Sequence, residues 1–141
     1  MSPRQVALVR GSWQHVLPIK QRAAELFYRR LFELDPGLEP LFRGDMTEQG
    51  QKLMAMLGTV VSRLDRLDEI VPAVQQLGRR HARYGVEEEH YDTVGAALLS
   101  TLRAGLGDAL SPEAEEAWAV AYRTLADVMK QSICRAQAHA S

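Results

Sequence analysis

Apolar residues recur every three or four positions along this chain and never in sustained alternation, which is the period of amphipathic helices. Val6, Val9, Trp13, Val16 and Leu17 share one stripe, and Ser2-Pro3-Arg4-Gln5 ahead of them offers an N-cap serine, a proline at the first helical position and a glutamine at the third. Pro18 marks a junction to a second predicted helix, from about Ile19 to Leu34, with Ala24, Phe27, Tyr28, Leu31 and Phe32 at helical spacing. Asp35-Pro36-Gly37 breaks it, and Leu38 to Phe42, fenced by Pro36 and Pro40, reads as a short corner. Asp45-Met46-Thr47-Glu48 predicts a capping box for a third helix whose apolar face carries Leu53, Met56, Leu57, Val60 and Leu64, and Gln49, four residues before Leu53, shares that face. Asp68 is expected to cap a fourth helix with the stripe Ile70, Val74, Leu77 and His81, ended by Gly85. A fifth helix runs from about Glu87 to Leu106 through Tyr91, Val94, Leu98 and Leu102. A sixth begins at Ser111-Pro112 and carries Trp118, Ala121, Tyr122, Leu125 and Met129.

Six helical segments with short connections and no internal repeat predict a single all-α domain over residues 1–141. Periodicity leaves open whether the helices form an up-and-down bundle or a box of crossed helices. Ala24 and Gly50, small residues on otherwise bulky helices, favour close crossing of two backbones. The 141 residues are 46% hydrophobic and 25% charged, which excludes a disordered chain and permits a sizeable core. Lys plus Arg at 17 against Asp plus Glu at 18 leaves a net charge of -1, so there is no net positive field to collect phosphates, and nucleic acid is not expected as a partner. The lone Cys134 can form neither an internal disulfide nor a thiolate zinc site. No apolar run approaches bilayer length and the N-terminus lacks a signal-peptide core, so no membrane partner is expected and a reduced cytoplasm fits best.

Nucleophile motifs, phosphate loops and paired carboxylates are all missing from the sequence. One histidine stands apart: His81 continues an apolar stripe, whereas His15 and His139 sit among polar neighbours and His90 opens the fifth helix. A histidine on such a face is either a satisfied core residue or a ligand, and spacing alone does not choose. Tyr28 as core and Gln49 as surface are equally open at this level.

The segment Leu77-Gly-Arg-Arg-His81-Ala-Arg-Tyr84-Gly-Val86 resembles the one carrying the proximal haem ligand in bacterial single-domain globins, which also occur as the N-terminal module of flavohaemoglobins and have neuroglobin-like relatives. Leu26-Phe27-Tyr28 with Leu31-Phe32, Pro40-Leu41-Phe42, Gln49 with Lys52-Leu53, His90-Tyr91 with Val94-Gly95, and Ala117-Trp118 with Tyr122 match in order, so the resemblance runs from Val6 to about Gln131. It implies a three-over-three globin fold holding one haem b, bound without covalent attachment because no Cys-x-x-Cys-His motif is present. His81 would be the iron ligand, its second ring nitrogen within reach of the Leu77 carbonyl one turn back. Tyr28 and Gln49 would face the diatomic ligand, and Phe42 would pack flat on the ring. Leu53, Leu57, Leu77, Val86, Tyr91, Val94 and Leu98 would form the walls, with Lys52 and Arg80 or Arg83 reaching the propionates.

Reversible binding or scavenging of O2, with NO and CO as further ligands, is the function implied. A second reading is an NO dioxygenase or nitrite reductase fed by an external reductase; a third is a haem-free or gas-sensing module, of which the sensor version is disfavoured because no output domain is expected after the sixth helix. Tyr91 matches a tyrosine that supports the proximal histidine together with a glutamate on the sixth helix. Here Ile133 stands in the glutamate's place, with Gln131 the nearby substitute, so electron donation through the imidazole should be weak.

Overall fold

The computed structural model describes residues 1–42, 44–83 and 85–140, with side chains described through Gln131. Tyr84 and the side chains of Ile133, Cys134 and His139 therefore lie outside the described part. The helices are α1 (Pro3–Val16), α2 (Lys20–Leu34), α3 (Met46–Ser62), α4 (Leu67–Arg83), α5 (Glu88–Leu106) and α6 (Pro112–Ala140), and no strand occurs among the described residues. No helix is long and apolar enough to cross a membrane.

Local chemistry sets most boundaries where the sequence predicts them. Ser2 and Gln5 form a reciprocal capping box at α1, and Ser111 Oγ accepts the Ala114 N–H at the start of α6. At α5 the partner of the Glu87 N–H is His90 Nδ1, at 2.9 Å, so His90 serves as a cap. Three expectations need correction. Asp45 caps α3 by accepting the Thr47 N–H at 2.8 Å, but Glu48 turns to Lys52 and completes no box. α4 starts at Leu67, and Asp68 lies inside its first turn, because a tight turn over Leu64–Arg66 leads straight into the helix. Leu17 falls in the tight turn after α1 and is exposed, since Pro18 diverts the chain there.

Helices α1, α3 and α4 lie over α2, α5 and α6, with crossings of α1 on α6, α3 on α2 and α4 on α6. Glycines permit the closest approaches. A Cβ at Gly50 would come 2.9 Å from Ala24 Cβ, so the two small residues picked out in the sequence face each other across the α2–α3 crossing. A Cβ at Gly78 would lie 2.9 Å from the Met129 Cα, so α4 and α6 touch backbone to backbone. At the α1–α6 crossing the rings of Trp13 and Trp118 are 6.3 Å apart, and the Trp118 indole donates to Ser12 Oγ at 2.7 Å in the buried core. Ser12→Ala would strand that indole N–H, so we expect a loss of about 1–3 kcal/mol in urea unfolding followed by tryptophan fluorescence. An unchanged midpoint would mean the bond contributes nothing.

Candidate functional site

The buried apolar residues form one main core and, as is ordinary for a domain of this size, a small satellite, here of two buried residues, with a seam between them. The larger runs through α1, α2, α3, α5 and α6; Tyr28 and Leu98 are buried in it and Phe42, Leu53, Leu57 and Val94 are half-buried against it. The smaller lies under α4 around Tyr91 and Ala126, with Ala82, Val86 and Met129 packed on it. Tyr122 touches both. The α3 residues expected on the apolar face, Leu53, Met56, Leu57 and Val60, are only half-buried, while Gly50, Met54 and Val61 are the buried ones. Leu53, Leu57 and Val60 pack against the larger group from that half-buried position. A separate surface hollow of about 470 Å³ beside α1, lined by Met1, Pro3, Val6, Ala7, Arg10 and Asp65, contains none of the site residues expected from the sequence.

His81 stands on the α4 side of the seam. Burial, and secondarily the charge of Arg80, holds its pKa below the ordinary imidazole value, so it is neutral at pH 7. Its Nδ1 is buried with no hydrogen-bond partner. The bond expected from this ring to the Leu77 carbonyl is therefore not made: within the helix that carbonyl serves the His81 backbone N–H. The Tyr91 hydroxyl is the second buried polar group without a partner; its ring lies 6.4 Å from the imidazole at 61°. Burial pushes Tyr91 up to about 12. Gln131, expected as a substitute for the missing glutamate, is exposed and reaches neither group.

Tyr28 stands across the seam. Its ring is buried among Phe27, Phe32 and Phe42 at 5.1, 6.1 and 5.4 Å, and its pKa is pushed up to about 12 by that burial. The phenol is consequently a proton donor throughout the neutral range. Its only acceptor among the described residues is the Gln49 backbone oxygen at 3.4 Å, the outer limit of a hydrogen bond. Gln49 itself is half-buried at the start of α3. Leu77 is half-buried, whereas Lys52 and Arg80 are exposed at the surface, Lys52 3.5 Å from Glu48.

A further contact went unremarked in the sequence. Tyr122 on α6 donates to the Tyr91 backbone oxygen at 2.6 Å, its ring occupying the place where a Cβ of Gly95 would lie 2.8 Å from the Tyr122 Cε2. The signal was a glycine one turn after Tyr91 inside a helix, a position that is costly unless something packs on it.

The family model described as Globin matches residues 25–129. A flavohemoprotein of Bordetella parapertussis is 32% identical over 132 residues, covering 92% of this chain and 33% of the relative; one of Bacillus subtilis is 33% identical over 118 residues, covering 79% and 30%. The chain thus spans about a third of the length of these curated relatives. Among solved structures, an engineered carbene transferase from Rhodothermus marinus, whose parent is provisionally assigned as a nitric oxide dioxygenase, superposes with a TM-score of 0.87 at 26% identity, covering 98% of this chain and 96% of that one. A bacterial globin from Campylobacter jejuni gives 0.84 at 23% identity, covering 96% and 99%, a likeness of fold.

Proposed function

Since the chain belongs to the globin family, which implies a haem cofactor with iron and haem-based gas binding, we propose that it binds O2 reversibly, with NO and CO as further ligands, using His81 on one side of the haem and Tyr28 and Gln49 on the other. The observation that carries this reading is a neutral, half-buried imidazole with an unpaired buried nitrogen at a seam between two apolar groups. Neutral imidazole has the lone pair a metal needs, and an unpaired buried polar atom is costly in a protein that does not use its ring. Half-buried Leu53, Leu57, Leu77 and Val94 suit a flat apolar group.

Haem supplies, when bound, an iron with an open coordination position and the electron density that makes a diatomic ligand a hydrogen-bond acceptor. The residues of this chain do the rest. His81 holds the iron through one nitrogen, and the Tyr91 hydroxyl is the polar group beside it available to meet the other. Phe42 would pack on the haem, with Val86, Tyr91 and Leu98 completing the walls, and Lys52 and Arg80 or Arg83 would meet the propionates. Tyr28 gives up a weak 3.4 Å bond to donate instead to the ligand, so the exchange costs little.

Tyr28→Phe should raise the O2 dissociation rate about tenfold or more if the hydrogen bond is worth about 1.4 kcal/mol. With the phenol pushed up to about 12, the native rate should be flat through neutral and mildly alkaline pH. Stopped-flow release measures both, and an unchanged off-rate in the variant removes Tyr28 from the ligand site. NO dioxygenation with an external reductase is the second reading, favoured by the flavohemoprotein relatives. Among the described residues no carboxylate bonds to His81 Nδ1 or the Tyr91 hydroxyl, which argues for weak electron donation and hence for binding over turnover.

A further inference from the structure

Two segments meet at one edge of the seam. The first is the strap Pro36–Leu41 with Phe42 behind it. Asp35 caps the strap by accepting the Gly37 N–H at 3.1 Å, Leu38 anchors it in the core at 3% exposure, and Phe42 places its ring 5.4 Å from Tyr28 and 5.6 Å from Phe32. The second is the corner between α4 and α5. Gly85 has φ 93°, its N–H donates to the Ala82 oxygen at 3.2 Å, and the Val86 N–H donates to the His81 oxygen at 3.0 Å. These are the two bonds of a Schellman turn, so the corner is tied directly to the backbone of the histidine.

Leu41 joins the two. A Cβ at Gly85 would lie 3.6 Å from Leu41 Cδ2, so this half-buried leucine rests over the bare backbone of the glycine, at ordinary contact distance. This approach links the strap bearing the Tyr28 cluster to the turn bearing His81. It sits at the rim, where Gly85 is exposed, and a rim contact contributes less to folding than a core one. The corner side is fixed by its φ and its two bonds, which leaves Leu41 as the adjustable member.

We propose that Leu41 is a cofactor-retaining positioning residue, bracing the His81 turn against the Phe42 strap and so setting how fast haem escapes. The inference rests on the haem reading above. Its test is transfer of hemin from the holoprotein to an excess of a haem-scavenging acceptor protein, in native chain, Leu41→Ala, Leu41→Met and the core variant Leu38→Ala, each also unfolded in urea as apoprotein. Leu41→Ala should release hemin roughly tenfold faster, with Leu41→Met close to native, while the ferrous–CO spectrum and the apoprotein midpoint stay near native. Unchanged release from Leu41→Ala overturns the proposal. So does a release rate that merely tracks lost apoprotein stability, with Leu41→Ala and Leu38→Ala on one line. A native chain that takes up no hemin instead overturns the haem reading, which is a different result.

Discussion

His81→Gly should lose the histidine-ligated haem spectrum, and millimolar imidazole should restore it. Neither of the other described histidines is placed to stand in: His90 caps α5 through Nδ1 and His15 is exposed on the last turn of α1. Glycine removes the ring while leaving room for free imidazole, so restoration separates loss of the ligand from loss of the fold. The backbone cost of a glycine near the helix end is about 1 kcal/mol at most, small beside the loss of an iron ligand. A His81→Gly protein that keeps the native spectrum without imidazole would assign the iron elsewhere.

The same chemical change at two glycines should have opposite signs. Gly11→Ala, exposed on α1 with nothing within 4 Å of the new methyl, should stabilise the protein by about 0.5–1 kcal/mol through helix propensity. Gly78→Ala gains the same propensity but sets its methyl 2.9 Å from the Met129 Cα and 3.0 Å from the Met129 oxygen. Those are backbone atoms, so α4 and α6 must separate, and overpacking of this kind costs about 1–3 kcal/mol or more. Gly78 stands three residues before His81 on the same helix, so the displacement should also weaken hemin affinity. Urea midpoints and hemin titrations measure both; equal stabilisation of the two variants would mean that the α4–α6 contact is looser than the distances say.

Much of this was legible in the chain. Ser2-Pro3 and Ser111-Pro112 carry their own start signals, Gly85 its own stop, and the periodicity places Val9, Trp13, Phe27, Leu31, Val74 and Trp118 inward as found. The pairing of Ala24 with Gly50 follows from both being small where bulk is the rule. What failed was information held by tertiary partners. The capping box at Asp45 needed Glu48, which Lys52 draws away. The buried residues of α3 are Gly50, Met54 and Val61 rather than its hydrophobic stripe, because its crossings with α2 and α1 choose them, and no local pattern announces a crossing. Leu77 looked available to His81 by spacing, but the rotamer of the ring is set by its packing, and its Nδ1 is left without a partner. The set Tyr28, Gln49 and His81 was recognisable by family resemblance, whereas Tyr122 on Gly95 and Leu41 on Gly85 depend on crossings that only the fold defines.

The account rests on one imidazole and one ring bound beside it. Titrating the chain with hemin and recording the visible spectrum in the ferric, ferrous and CO-bound forms tests this at once. The expected result is uptake of one hemin per chain, a ferrous form with histidine on one side and an open position on the other, and conversion by CO. A protein that stays colourless, or whose bound hemin gives the same spectra after His81→Gly, contradicts it.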